Sequence, residues 1–407
     1  MIRAGSVELT ADRAVVASDL AREAVAGAGI SVDVVTAPSA FLAMRQEWDD
    51  LLHASRSDSI FLTWEWLATW WKHLGAPRRL SLITLRRQGG LIGVAPLAVS
   101  PPALSRLIAF HRLEFLGTGS VGSDYLDVIV RDGCESQALP ALVETLDRMR
   151  LPLDLGQVNG VASSAGALTR ELAGRGWTVT IDPSGVCPHI GLGGLTWPSY
   201  LATLTAHHRS NFKRRWNALL RDGAMRFELV TSEAERRVAL AALVDLHRRR
   251  RSERGGSNAL HTPALLAFHE DFTSQALERG WLRLFVMKLG DKPVGSIYGL
   301  RYGKSLLFYQ TGFDPEHARQ GVGQVMVGLT IRHAFDEGLE DYDLLHGDEP
   351  YKFDWARNVR ELKRATLFPP GVRGGLERVI ADLGHRVRRE ARRWVAWRPG
   401  RRDGGDR

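Results

Sequence analysis

The sequence predicts a mixed α/β fold in which one unit of helices and strands is used twice. Three observations carry that expectation. "RRLSLITLRRQGGLIGVAPLAV" reads as two strands of period-2 alternation joined by a tight Gly-containing turn, the local signature of a hairpin. "WLRLFVMKLGDKPVGSIYGLRY" repeats it in register: Leu80 matches Leu282, Leu82 matches Leu284, Ile83 matches Phe285 and Gly93 matches Gly295, each pair 202 positions apart. The same spacing relates Trp66 to Phe268 and Trp70 to Phe272 on the amphipathic helices ahead of each hairpin. One similar hairpin is a common accident, whereas an offset shared by helix and hairpin indicates an internal duplication.

In chain order, residues 1–30 form an N-terminal extension and 31–190 the first half. After its helices and hairpin, "DYLDVIV" (124–130) reads as a strand, 135–149 as a helix and "LDLGQV" as a further strand. The second half, 191–370, opens with helical "WPSYLATLTAHHRSNFKRRWNALLRDG" and continues with helices at 232–254 and 263–279. The repeated hairpin follows, then the strand "SLLFYQTGF", a helix after Gly321, a strand at "DYDLLHG" and a last strand, "RATLF", before Pro369 and Pro370 turn the chain. Helices alternating with strands imply a mixed sheet covered by helices. Residues 371–407 form a basic amphipathic tail, with Leu376, Ile380, Leu383, Val387 and Trp394 on one stripe and Arg386, Arg389 and Arg393 mostly off it. Such a helix either packs on the body with its basic face in water or makes a peripheral contact with an anionic membrane surface.

Composition narrows the class. A chain of 407 residues, 44% hydrophobic with 12 Trp and 14 Phe, has the apolar surface for two cores. No run reaches the roughly 18 uninterrupted apolar residues of a membrane span, and acidic residues interrupt the first twenty, so a cytoplasmic protein is expected. Cys134 and Cys187 have neither metal-ligand spacing nor the density of a disulfide scaffold, and are expected as buried free thiols. The formal charge is +8, but the tail alone holds eleven Arg against five acids, which gives +6. The folded body is nearly balanced, which argues against a nucleic-acid binder.

The two halves differ at one place. Where the first has "RDGCESQALPALVETL", the second has "GFDPEHARQGVGQVMVGLTIRHAF", a Gly-x-Gly turn opening a helix. Gly321 and Gly323 would admit a phosphate to the backbone, where unpaired helix N–H groups and a partial positive charge meet it. Alone, the pattern serves structure more often than ligand binding; its place after a strand in a duplicated unit favours the ligand.

At Ala318-Arg319-Gln320-Gly321-Val322-Gly323 the sequence resembles the GNAT acyltransferase superfamily, whose diphosphate loop is Arg/Gln-x-x-Gly-x-Gly/Ala. Both glycines match, and Ala318 stands where the pattern has Arg or Gln. "FLTWEWLATWWKHLG", "LHRRRRSERGG", "YQTGFDPE" and "GDEPYKFDW", in collinear order over residues 35–368, resemble the CelD/BcsL type, a double-GNAT group linked to cellulose or exopolysaccharide synthesis. The resemblance implies two tandem GNAT-like halves, the first mainly structural, and transfer from acetyl-CoA or another acyl-CoA to an amine or hydroxyl of a small-molecule, glycan or amino-acid acceptor, with no metal. It assigns the cofactor to Tyr309, Gln310 and Thr311 of the preceding strand and to Arg319, Gln320, Gly321, Val322, Gly323 and Gln324 of the loop.

A thioester is already activated, so the protein must position the acceptor, remove its proton, polarise the carbonyl and protonate the thiolate. Tyr351 is the candidate acid; Glu349, Asp348 or His346 is the candidate base, each with a bland alternative as a capping or half-buried group. Arg209, Arg250 and Lys352 are candidates for holding the substrate, against the alternative of solvated charges. Two rival classes remain: a Fem-like ligase with aminoacyl-tRNA as donor, which the Arg-rich helices would suit, and a non-catalytic scaffold of a polysaccharide-synthesis complex.

Overall fold

The computed structural model describes residues 29–101, 111–160, 163–221, 225–254, 260–372, 374–375 and 378–379. Nearly all of the amphipathic helix expected over 371–407, with its lipid contact, and of the 1–30 extension lies outside the described residues. The first half runs β1 (Ile30–Val35), α1 (Pro38–Ala43), α2 (Arg45–His53), α3 (Trp64–Leu74), β2 (Arg79–Leu80), β3 (Leu82–Arg87), β4 (Gly90–Ala95), β5 (Leu97–Val99), β6 (Leu113–Phe115), β7 (Ile129–Val130), α4 (Glu135–Met149), β8 (Leu153–Asn159), α5 (Ser164–Gly174) and β9 (Thr178–Gly191). The second runs α6 (Trp197–Thr203), α7 (Ala206–Arg221), β10 (Met225–Leu229), α8 (Glu233–Arg254), α9 (Pro263–Glu278), β11 (Leu282–Leu289), β12 (Lys292–Tyr302), β13 (Ser305–Phe313), α10 (Val322–Asp336), β14 (Asp341–Asp343), α11 (Pro350–Phe353) and β15 (Asn358–Phe368).

The duplication is visible in the register of the two hairpins. In β3·β4 the pairing shifts between Leu85 and Arg86, and in β11·β12 between Met287 and Lys288, again 202 positions on. A bulge at the same place in both copies bends both hairpins alike. Further along each half, two strands pair in parallel around a helix: β6 with β8, and β13 with β14.

The halves are joined by exchanging their last strands. The large sheet has the order β10-β11-β12-β13-β14-β9-β15-β8-β6-β5-β2, and a smaller one has β1-β3-β4-β7. β9, which ends the first half, lies against β14 of the second; β15, which ends the second, lies against β8 of the first. Between them β9 and β15 form an antiparallel ladder from His189·Asn358 to Thr178·Phe368. The arrangement is that of an isologous dimer fused into one chain.

The helix contact across the halves has the same symmetry. Thr69 of α3 accepts a hydrogen bond from Gln275 of α9 at 2.9 Å, and His73 of α3 meets Asp271 of α9 at 2.7 Å. Positions 69 and 271, like 73 and 275, are 202 apart, so the two contacts are one contact read from either side. At the centre the Trp66 ring stands edge-on to Phe268 at 4.9 Å and Phe272 at 4.7 Å, while its indole N–H donates to Ser123. Glu65, fully buried beside it, is held by Arg45 and by Arg279 of the second half.

Two expectations are revised here, and one strand is added. The strand over 124–130 is confined to Ile129–Val130, because Asp124 and Asp127 bind amides elsewhere in the fold and Tyr125 takes a positive φ of 56°. The helix predicted from Trp197 breaks at Leu204, whose extended backbone separates α6 from α7; Thr205 then accepts the His208 amide to start the second helix. β9 carries Pro183 and Pro188, which argue against a strand in the sequence, yet it forms the centre of the sheet, with its register irregular beside Pro183.

Because the Trp66 cluster belongs equally to both halves, Trp66→Ala should cost about 3–5 kcal/mol. Urea unfolding should remain a single transition at lower midpoint, whereas two separated transitions would show that the halves fold independently.

Candidate functional site

β13 and β14 pair over three residues only, Ser305·Asp341 to Leu307·Asp343. Beyond that rung they part. β13 stays on β12 as far as Phe313, while the chain after β14 follows β9, with the Leu344 amide bonded to the Pro188 carbonyl and the Gly347 amide to that of Val186. Immediately after the parting β13 carries a bulge: Tyr298 pairs with Gln310 and Gly299 with Phe308, so Tyr309 is the extra residue with no partner on β12. A bulge at a strand fork turns backbone groups out of the ladder, which is what a donor to a carbonyl oxygen requires.

Side chains around the bulge have other duties. The Tyr309 hydroxyl donates to the Val121 carbonyl of the first half, and its ring packs on Trp66, Tyr298 and His269, so it belongs to the core between the halves. Thr311 donates to the Ser296 carbonyl, and Gln310 is half-buried. If these three residues meet a cofactor, Tyr309 and Thr311 do so through backbone.

At the far end of the fork lies the N-terminus of α10. Gly321 caps the helix at φ 75°, a left-handed conformation that a side chain would strain, and the Val325 amide is the first to bond back, to the Gly321 carbonyl at 3.0 Å. The amides of Val322, Gly323 and Gln324 are thus the leading donors of the helix. What approaches Gly321 here is the chain's own Arg215 from α7, whose side chain would overlap a Cβ at that position. Arg215 donates to Gln324 at 2.9 Å, and Gln324 in turn meets His208 at 3.2 Å. Gly323 faces the Phe313 ring, which would lie 3.3 Å from a Cβ. Arg319 and Gln320 are exposed, Gln320 being engaged by His317 at 2.7 Å. Arg215, which lies outside the sequence motif, thus supplies a cation beside the glycine turn. Asp314, Glu316 and His317 are the one group among the described residues whose donor atoms cluster as a metal site would; Asp314 is already committed to Lys292 at 2.9 Å and to the Glu316 amide.

The polar segment after β14 divides into working and structural members. Lys352 is buried, and its ammonium donates to the Leu345 and His346 carbonyls and pairs with Glu349 at 3.1 Å. All three of its donors are used inside the loop, so it shapes the segment and does not reach a substrate. Arg209 is likewise structural: it donates to the carbonyls of Leu201, Ala202 and Leu204 and caps the end of α6. Arg250 is placed differently, with its guanidinium over the Phe313 ring at 4.7 Å and beside Tyr351. Burial pushes the Tyr351 phenol above its ordinary pKa, with Glu349 adding to the effect and Arg250 opposing it, so the hydroxyl keeps its proton. Asp348 and Glu349 are exposed. His346 leans on Gly185 with Nδ1 3.3 Å from Gln157, and partial burial lowers its pKa.

Sequence reasoning missed the contribution of the first half. Asp124 accepts the His346 amide at 2.9 Å, at the point where β14 leaves β13, and its other oxygen has no hydrogen-bond partner among the described residues. Burial pushes its pKa up to about 7. Tyr125, next in sequence, donates to Asp343 at 2.6 Å, and Arg360 of β15 binds the same carboxylate at 2.6 Å. No motif marks these positions; the signal available in the sequence was two aspartates in an apolar stretch, "SDYLDVIV".

The match to a known family falls on the second half. Residues 206–353 match the acetyltransferase (GNAT) domain family and form a GNAT-type acetyltransferase domain. No curated protein matches the chain. Among solved structures, FemX is similar over 78% of this chain and 95% of its own, at 13% identity and a TM-score of 0.58. L-PGS from Bacillus licheniformis is similar over 79% and 90%, at 11% identity and a TM-score of 0.50. A conserved protein of unknown function from Bacteroides thetaiotaomicron is similar over 80% and 97%, at 12% identity and a TM-score of 0.50. At such identities the likeness is one of fold, and it extends over both halves. The chain is built of two halves with the same hairpin and helix arrangement, of which the second carries the match to the acetyltransferase (GNAT) domain. Among the described residues no helix is long and apolar enough to cross a membrane.

Asp124 gives a pH signature. Its folded pKa lies above the ordinary value of 3.8, so the folded state holds the proton more tightly, and the resulting stability, full at low pH, is lost as pH rises through about 7. Unfolding free energy should therefore decline between about pH 4 and 7, and Asp124→Asn should remove most of that decline, roughly 3–4 kcal/mol. An unchanged slope would show that Asp124 ionises normally.

Proposed function

We propose that the protein transfers an acyl group from an acyl-CoA to an amine-bearing acceptor, with the donor held where β13 and β14 part. The observation that carries this reading is the fork itself: a bulged strand, a three-residue parallel pairing, and a glycine-capped helix N-terminus at the open end, all inside the segment that matches the GNAT family. The diphosphate would take the leading amides of Val322, Gly323 and Gln324, with Arg215 lifting from Gly321 to pair with it and Arg319 at the rim. The pantetheine arm would run along β13, bringing the carbonyl to the bulge at Tyr309.

The amine nitrogen attacks that carbonyl; the C–N bond forms, the C–S bond breaks, the nitrogen gives up a proton and the thiolate gains one. Tyr351, kept protonated by burial at the mouth of the fork, is the group we assign to the thiolate. Glu349 or Asp348 receives the amine proton, directly or through water, with His346 the remaining candidate. The CelD/BcsL-type resemblance points to cellulose or exopolysaccharide precursors as the acceptor and to the cytoplasm as the place of reaction.

A second reading, with aminoacyl-tRNA as donor in the manner of Fem-type ligases, is favoured by the fold likeness to FemX over nearly all of that chain. Calorimetry separates the two. Acetyl-CoA or a longer acyl-CoA should bind, and Gly323→Glu should weaken it at least tenfold, about 1.4 kcal/mol, by setting a carboxylate among the phosphate-facing amides. Binding of charged tRNA with no affinity for any acyl-CoA would replace the first reading by the second. If CoA binds, Arg215→Ala should also lower its affinity several-fold, while a gain would show that Arg215 only blocks the loop. Tyr351→Phe should cut kcat with KM for the donor nearly constant; unchanged turnover removes it from the chemistry.

A further inference from the structure

A cavity lies at the paired end of β13·β14, behind the point where the strands part. It is a cleft of about 380 Å³ between the halves, large enough for a single sugar ring with its substituents. Leu307 and Asp343, the last paired rung of β13·β14, form part of its wall, so a molecule in it sits two residues from the Tyr309 bulge. Its lining is polar, with serine hydroxyls and Asn159, and Tyr125 and Tyr302 add apolar ring surface.

The charges in this cleft are not balanced. Arg360 is consumed by Asp341 and Asp343, at 3.1 and 2.6 Å. Asp127 is consumed by Ser57 and by the amides of Val128, Ser164 and Ala165, where it caps α5. Arg56 turns outward to Asp132 at 2.7 Å. What remains is Asp58 at the mouth, whose one hydrogen-bond partner among the described residues is the Tyr302 hydroxyl at 2.5 Å. The cleft therefore offers a carboxylate, the hydroxyls of Ser59 and Ser305 and the Asn159 amide, and holds no uncommitted cation among its described lining residues.

We infer that this cleft is the acceptor site, and that it takes a hydroxyl-rich molecule bearing a charged amine, such as an amino sugar, and excludes sugar nucleotides and other polyanions. Asp58 receives an ammonium that is not the one acylated, such as that of a neighbouring residue in an oligomer, and Tyr125 and Tyr302 hold the ring. The inference rests on the acyl-transfer reading for the chemistry, but the binding it describes can be measured without a donor. A sugar nucleotide would bring two phosphates into a cleft where Asp58 has no cationic partner and Arg360 is already held by Asp341 and Asp343, so their charge would go unmatched.

Saturation-transfer NMR and calorimetry with glucosamine, glucose and UDP-N-acetylglucosamine test this on the full chain, with acetyl-CoA titrated in parallel. Glucosamine should bind saturably at concentrations up to about 10 mM, and glucose about tenfold more weakly. UDP-N-acetylglucosamine should bind no better than glucose. Asp58→Asn should remove the preference for glucosamine over glucose, with acetyl-CoA affinity and thermal midpoint unchanged; Ser305→Trp, which fills the cleft, should abolish binding of both sugars. Absence of saturable glucosamine binding, a preference that survives in Asp58→Asn, or tighter binding of the sugar nucleotide would each overturn the inference. Acetyl-CoA binding alongside any of these would leave the donor reading standing, so the two failures are distinguishable.

Discussion

The antiparallel ladder between β9 and β15 is the constraint from which the rest of this protein follows. Each strand is the last of its half and finds its outer neighbour on the other half, so neither sheet is complete without the other chain segment. An unpaired strand edge is costly in water and prone to wrong pairing. Here the exchange removes both inner edges at once and fixes the angle between halves. The fork of β13 and β14 inherits its rigidity from this, because β14 is only three residues long and is kept in place by β9 on its far side.

That dependence gives the first half a share in the site, even though it lacks the glycine loop. Segment 121–125 reaches across the seam, where the Val121 carbonyl takes the hydroxyl of the bulge residue Tyr309 and Asp124 takes the amide of His346. A carboxylate buried with one oxygen unpartnered raises the free energy of its charged form, and the cost is offset by the surrounding packing. Such a group persists where a strand has to leave its neighbour and an amide would otherwise be stranded. The duplicated unit has thus diverged by division of labour: one copy offers a helix N-terminus, the other supplies the wall and the buried acids.

The charged groups around the fork show why residue type alone is a poor guide to role. Lys352 and Arg209 sit in the polar and basic stretches that drew attention in the sequence, yet both spend their donors on backbone carbonyls at the ends of short helices and loops. Arg215, one residue in the same basic run as Arg209, lies six positions further along α7, on a different side of the helix, and meets Gly321. The helical repeat decides which of these arginines reaches the glycine turn.

Sequence by itself determined the local pattern: two hairpins 202 residues apart, the helices before them, the helix over Glu135–Met149, and a glycine turn opening another. These are set by alternation, capping and the conformational freedom of glycine, all of which act over a few residues. Only the tertiary structure decided that the terminal strands are exchanged, that β9 is a strand despite its prolines, that Asp124 is buried beside His346, and that Asp58, bonded to the Tyr302 hydroxyl, stands at the mouth of a cleft. Each of those depends on which distant segment supplies a hydrogen-bond partner or excludes water. That information resides in the packing of about two hundred intervening residues, and no short window of the chain contains it.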